Sequence, residues 1–129
     1  MITTPFTFFA TAGAVSRTGA TPIFADIDPA TYNIDPKDVE RRITEKTKGI
    51  IPVHLYGRPA PMDELHELAN KHGLRIVEDA AQAVGAIYKG KPVGSISDVG
   101  CFSFYPTKNL GAAGDAGLVT TDDDVLASR

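Results

Sequence analysis

Apolar residues along this chain fall into two rhythms. Short unbroken runs, TPIFADID from Thr21, GIIPVH from Gly49, LRIVEDA from Leu74, VGCFSFY from Val99 and AGLVTT from Ala116, are too brief and too β-branched or aromatic to favour helices, and predict strands. The first of them reads as a buried strand ending in acidic turn residues, and DPATYNIDP continues it as a loop with two Asp-Pro pairs. Asp35 and Pro36 then stand as N-cap and first-turn residue of a helix through DVERRI, its charges outward. In MDELHELANKHG the rhythm becomes helical: Met62, Leu65, Leu68 and Ala69 share one face, and Gly73 ends the run. DDDVLASR opens a further helix behind an acidic first turn. FTFFATAGAV is the poorest helix candidate, since Thr and Gly are weak formers and its apolar positions keep no clean period.

Strand, crossover helix and strand within about 30 residues form the parallel βαβ signature, and unbroken apolar strands fit a sheet covered on both faces. The expected fold class is α/β, a mainly parallel sheet flanked by helices. With 129 residues and 43% hydrophobic content the chain suffices for one domain with a core. A net charge of -3, with both signs interspersed, leaves no basic stripe for a phosphate backbone, so nucleic acid is not an expected partner. No apolar stretch approaches the about 20 residues that span a bilayer, and the N-terminus lacks the pattern of a signal peptide. No membrane association is expected, and the cytoplasm is the expected compartment. The one cysteine, Cys101, precludes an internal disulfide and reads as a buried, inert thiol.

Glu78 and Asp79 close the LRIV strand at its carboxyl end, the edge at which open parallel sheets bind ligands. Taken alone they read more simply as a solvated acidic turn, or as an Asp capping a helix through AAQAV. Ser103 and Lys108 follow the end of the next strand, so two successive carboxyl-edge loops would bring an acid, a hydroxyl and an amine to one crevice. Pyridoxal phosphate needs an amine to hold it as a Schiff base, a carboxylate for its ring nitrogen, donors for its phosphate and something flat against the ring. Lys108, Asp79 and Ser103 can supply the first three. Phe6, Phe8 and Phe9 offer the last, although core packing is the simpler reading for at least two of them.

Other constellations lead nowhere. His54, His66 and His72 keep no zinc-binding spacing, so no metal site is expected. GAAGDAG fits neither the phosphate loop nor the dinucleotide fingerprint and reads as a tight turn that lets backbone pass close to something. No GxSxG elbow or Cys-His pairing points to a hydrolase.

Taken in order, PFTFFATAGAV, GATPIFADIDPATYNIDP, KGIIPVHLYGRPAPMDEL, HGLRIVEDAAQAVGAIYKGKPVG and DVGCFSFYPTKNLGAAGDAG resemble consecutive blocks of the DegT/DnrJ/StrS family of nucleotide-sugar aminotransferases, above all in EDAAQ followed by FSFYPTKN. The resemblance implies a fold-type-I pyridoxal 5'-phosphate enzyme, with residues 1–129 as a partial large domain. It implies amino transfer, with glutamate as the expected donor, to a keto sugar carried on a nucleotide diphosphate, in amino-sugar, polysaccharide or antibiotic-sugar biosynthesis. By the same resemblance Lys108 would carry the cofactor and move the proton, Asp79 would pair with the pyridinium nitrogen, and Gln82 would lie by the phenolic oxygen. Ser103 would bond the phosphate, and Phe8 would stack on the ring. VHLYG hints at a 3-keto sugar. A related subgroup with histidine at the lysine position performs dehydration, so Lys108 favours transamination.

Two departures from the family pattern stand out. Ala116 replaces a usual glycine, and a Cβ there would strain a backbone that needs positive φ. The family's upstream phosphate-cradling helix N-terminus and its C-terminal small domain have no counterpart, so the chain is expected to be a fragment of a longer homodimeric protein, binding cofactor weakly and inactive alone. The alternative reading is a non-catalytic regulatory or binding fragment of the same fold.

Overall fold

In the computed structural model, which describes residues 1–128, a six-stranded sheet organises the chain. Its members are β1 (Ile2–Thr3), β2 (Ile23–Phe24), β3 (Gly49–Ile50), β4 (Arg75–Asp79), β7 (Val99–Ser103) and β8 (Gly117–Thr120), in the order β2-β1-β3-β4-β7-β8. The first five run parallel, and β8 pairs antiparallel with β7 at the edge. A separate antiparallel hairpin joins β5 (Ile87–Tyr88) to β6 (Lys91–Pro92). The α/β expectation holds, and GIIPVH is shorter as a strand than its apolar run because Pro52 has no N–H to give the ladder. Pairing nonetheless resumes beyond it: Asp79 N donates to the Pro52 carbonyl (2.9 Å), and His54 N donates to the Asp79 carbonyl (3.0 Å).

The core sits on one face of the sheet. Ile2, Ile50 and Ile76 are register neighbours across β1, β3 and β4 and are essentially inaccessible. Helix α3 (Met62–His72) covers them with Met62, Leu65, Leu68 and Ala69, the four residues its periodicity singles out. The methionine and the two leucines each contribute about 1.5–3 kcal/mol on burial. Gly73 ends the helix in the left-handed conformation (φ 63°, ψ 36°), where a Cβ would be strained.

Helix α2 (Pro36–Arg42) begins as its sequence predicts, with the Asp35 carboxylate accepting from Lys37 N (2.9 Å). Its charges are not all outward. Asp38 is 4% exposed and accepts from the Asp26 backbone N–H (2.7 Å) and from Arg41 Nε (3.0 Å) and Nη2 (2.8 Å), tying α2 to the chain that leaves β2. The Asp26 N–H first, then the Arg41 guanidinium, hold its carboxyl at about 2 against an ordinary 3.8. Because the folded value is the lower one, this stabilisation is complete above the unfolded value and disappears as the pH falls through the folded one. Asp38→Asn should therefore lower the urea midpoint at pH 7, and the gap from the parent protein should close as the pH drops below 3.8 toward 2. A gap independent of pH across that window would refute the assignment.

Two further expectations change, and the poorest helix candidate holds. β2 is exposed, with Ile23 and Phe24 at 40% and 43%, because it forms the sheet's edge and has a neighbour on one side only. AAQAV forms turns rather than a helix, and Asp79 caps only the Ala81 N–H (3.2 Å). FTFFATAGAV does form a helix, α1 (Phe9–Arg17), despite its composition, burying Thr11 and Val15. The last helix, α4 (Asp124–Ala127), is capped by the Asp123 carboxylate on Val125 N and Leu126 N, while Arg129 at the end of the predicted segment lies outside the described residues. Among the described residues, no helix is long and apolar enough to cross a membrane.

Candidate active site

Side chains alternate across a strand, so Glu78 and Asp79 part company at the end of β4. Asp79 and Cys101 are register partners and face the same side of the sheet, with Ser103 two residues further along β7. Glu78 turns with Ile76 toward the opposite, buried face, so of the two candidate acids Asp79 alone reaches the site. Asp79, Ser103 and Lys108, with Phe8, Thr11 and Gln82, line one cavity of about 510 Å³ at the carboxyl ends of β4 and β7. The five residues that sequence reasoning assigns to a cofactor are thus brought together.

Helix α1 delivers the aromatic face and holds the acid. Phe8 occupies its N-cap with extended backbone (φ -71°, ψ 146°) and makes no side-chain cap, at a position where Ser, Thr, Asp or Asn normally serve. Its ring is 70% exposed, and Lys108 Nζ lies 6.0 Å from the ring centroid. Phe6 and Phe9 are exposed as well, at 42% and 83%, so the core-packing expectation for at least two of the three fails: they border the start of α1, away from the sheet's buried face. Thr11, which the sequence did not single out, donates its hydroxyl to Asp79 Oδ2 at 2.7 Å, and Thr7 lies 2.9 Å from Thr11 in turn. With Ala81 N on Oδ1, both carboxylate oxygens are oriented.

Gln82 is fixed by a backbone group. Its Oε1 accepts from Tyr56 N at 3.1 Å, which leaves the amide NH2 as the free donor end. Tyr56 takes a left-handed conformation (φ 52°, ψ 28°), followed by Gly57 at φ 83°. For a tyrosine that backbone costs about 1–3 kcal/mol and persists only where surroundings enforce it. The YG pair in VHLYG is the one trace of this turn in the sequence.

Lys108 sits in a loop folded back on itself. Lys108 N donates to the Tyr105 carbonyl (2.8 Å), Ala112 N to the Phe104 carbonyl (2.8 Å), and Phe104 N to the Ala116 carbonyl (2.9 Å). A Cβ on Gly111 would stand 2.5 Å from the Pro106 carbonyl oxygen, which identifies what the GAAGDAG backbone passes so closely. The strain expected at Ala116 is absent, since the non-glycine residues at positive φ are Tyr32, Tyr56 and Lys89. Among the described residues no carboxylate lies within ion-pair distance of the Lys108 amine. Cys101, beside Asp79, is half-buried rather than buried. Burial and then the charges of Asp79 and Glu78 push its thiol up, keeping it protonated and unreactive.

Comparison with known proteins bears on the family and the fold. The model of the DegT/DnrJ/EryC1/StrS aminotransferase family matches residues 1–129. The chain is 59% identical over 129 residues to the pleiotropic regulatory protein of Geobacillus stearothermophilus, covering 100% of this chain and 35% of that protein. It is 57% identical, with the same coverage, to the UDP-N-acetyl-3-dehydro-alpha-D-glucosamine 3-aminotransferase of Acidithiobacillus ferrooxidans. Among solved structures, S. venezuelae DesV in complex with a ketimine intermediate superposes with a TM-score of 0.95 at 53% identity, over 99% of this chain and 35% of DesV. NtdA from Bacillus subtilis with the cofactor PMP bound superposes with a TM-score of 0.89 at 42% identity, over 98% and 28%. The chain spans about a third of the length of the curated relatives it matches.

Proposed function

The chain belongs to the DegT/DnrJ/EryC1/StrS aminotransferase family, and from that premise we propose that it is the cofactor-binding part of a pyridoxal-phosphate sugar aminotransferase. The substrate is a keto sugar carried on a nucleotide diphosphate, the donor is glutamate, and the whole protein is a cytoplasmic homodimer. Relatives whose names specify aminotransfer to UDP-linked and dTDP-linked sugars support the substrate class. The observation that carries the reading is the convergence of Phe8, Asp79, Gln82, Ser103 and Lys108 on one cavity.

The donor set fits the cofactor. An amine free of carboxylate partners, a carboxylate with both oxygens oriented, an amide with its NH2 free, a hydroxyl and an exposed aromatic face each correspond to one group of pyridoxal phosphate. When bound, the protonated ring delocalises the electron pair left on a substrate carbon by proton removal. The chain's own residues do the rest. Asp79 would keep a positive ring nitrogen charged by opposite-charge pairing. Lys108 would hold the cofactor through its amine and, when that amine is free, would take the proton from the substrate carbon at Nζ and return it. Gln82 would donate its amide N–H to the phenolic oxygen, the Ser103 hydroxyl would donate to the phosphate, and Phe8 would cover a ring face and exclude water. A hollow lined by Tyr56, Gln82, Thr107, Lys108 and Asn109 adjoins the cavity and gives a substrate its approach to the amine.

A regulatory role, which the name of the Geobacillus relative favours, would give the chain no reason to keep amine, acid, amide and hydroxyl together. The two readings separate in one assay. Full-length protein incubated with pyridoxal phosphate, glutamate and UDP-linked or dTDP-linked 3-keto hexoses should yield an amino sugar detectable by mass spectrometry. No amination of any carrier would overturn the proposal.

A further inference from the structure

On the face of β4 turned away from the cavity, Glu78 and His54 are both 0% exposed. Glu78 Oε2 accepts from His54 Nε2 (3.0 Å) and Gly94 N (2.7 Å), and Oε1 accepts from Ile96 N (2.9 Å) and Ser97 N (2.8 Å). His54 Nδ1 accepts from Ala60 N (3.0 Å), so that nitrogen carries no proton, Nε2–H is the donor to Glu78, and the ring is neutral. Burial pushes the Glu78 carboxyl up, but the bonds from His54 and the Gly94 and Ile96 N–H groups outweigh it and hold the group below its ordinary value. A single buried anion is thus held by four donors.

Stability alone is a poor reason for it. Buried ionic groups seldom outperform apolar residues of similar size, and the Ile2, Ile50, Ile76 row shows that this sheet packs well without charge. The donors come instead from segments that lead to the cavity. His54 precedes Tyr56, whose N–H fixes Gln82, and its own backbone bonds the carbonyl of Asp79. The loop from Gly94 to Ser97 feeds β7, which presents Ser103.

We propose that Glu78, seated on His54 and the 94–97 loop, is a positioning residue of the cofactor site: its four-donor cradle sets the end of β4 and acts on cofactor affinity chiefly through Asp79. This rests on the proposed function, and the test keeps the two apart. In the full-length protein, pyridoxal-phosphate dissociation constants are measured by absorbance titration for the parent, Glu78→Gln, Asp79→Asn and the double variant. The glutamine turns one acceptor oxygen into an NH2 facing N–H donors on either side, so the cradle must shift. Glu78→Gln should raise the dissociation constant about tenfold alone and less than about twofold when Asp79 is already Asn, the non-additivity of residues that act as a unit. An equal factor in both backgrounds makes Glu78 merely structural and overturns the inference. His54→Gln, which leaves all three backbone donors on Glu78, carries the same cycle if Glu78→Gln does not fold. A parent protein that binds no pyridoxal phosphate would instead sink the proposed function.

Discussion

Lys108→Ala in the full-length protein should abolish borohydride-stable attachment of pyridoxal phosphate and lower amino transfer by roughly a thousandfold or more, the scale of losing the covalent anchor and the proton carrier together. The expectation is large because the cavity offers no substitute: among its lining residues Lys108 is the sole amine. Some lysines elsewhere are paired with carboxylates at the surface, Lys71 with Glu40 and Lys89 with Asp63. Among the described residues the Lys108 amine has no such partner, which leaves it available to a carbonyl in the cavity. Reduction of the loaded protein followed by peptide mapping reads the result directly. Label on a peptide lacking residue 108, in parent or variant, would refute the assignment. The same experiment separates transamination from dehydration and from a regulatory role, since neither needs an amine at this position.

Much of this was legible before the fold was known, and the reasons differ by residue. Helix α3 announces itself because Met62, Leu65, Leu68 and Ala69 recur at the period of the helix and Gly73 stops it. Asp79, Ser103 and Lys108 could be brought together on paper because parallel strands present their carboxyl ends to one edge. Strand alternation also holds the information that Glu78 and Asp79 face opposite ways, but which of them faces the cavity depends on what covers each side. The remaining pieces are tertiary. Thr11 finds Asp79 across 68 positions, His54 finds Glu78 across 24 and Tyr56 finds Gln82 across 26, and no local pattern encodes such distances. The phenylalanines mislead for a related reason: hydrophobicity predicts burial in general, whereas Phe8 is kept exposed beside an amine. The left-handed backbone of Tyr56 is likewise imposed from outside, since tyrosine has no preference for it.

Asp79→Asn should leave the fold nearly intact and cost much of the chemistry. The substitution is isosteric, and the side-chain oxygen that remains can still accept from the Thr11 hydroxyl. The 3.2 Å contact with Ala81 N is the one sacrificed, at about 0.5–1.5 kcal/mol or less. The lost charge matters far more. A close opposite charge moves a titrating group by about 1–3 pKa units, and at about 1.4 kcal/mol per unit the ratio of protonated to neutral ring nitrogen should drop by about ten- to a thousandfold. Turnover should fall by up to a comparable factor, because the ring absorbs the substrate's electron pair only when that nitrogen is charged. The thermal midpoint, measured alongside, should shift by only a few degrees, on the order expected for about 1 kcal/mol. Structural damage would move both quantities together, and electrostatic damage moves turnover alone. Turnover within threefold of the parent would mean that the carboxylate at 79 does not face the ring nitrogen, and with it would go the reading of this cavity as an electron-withdrawing site.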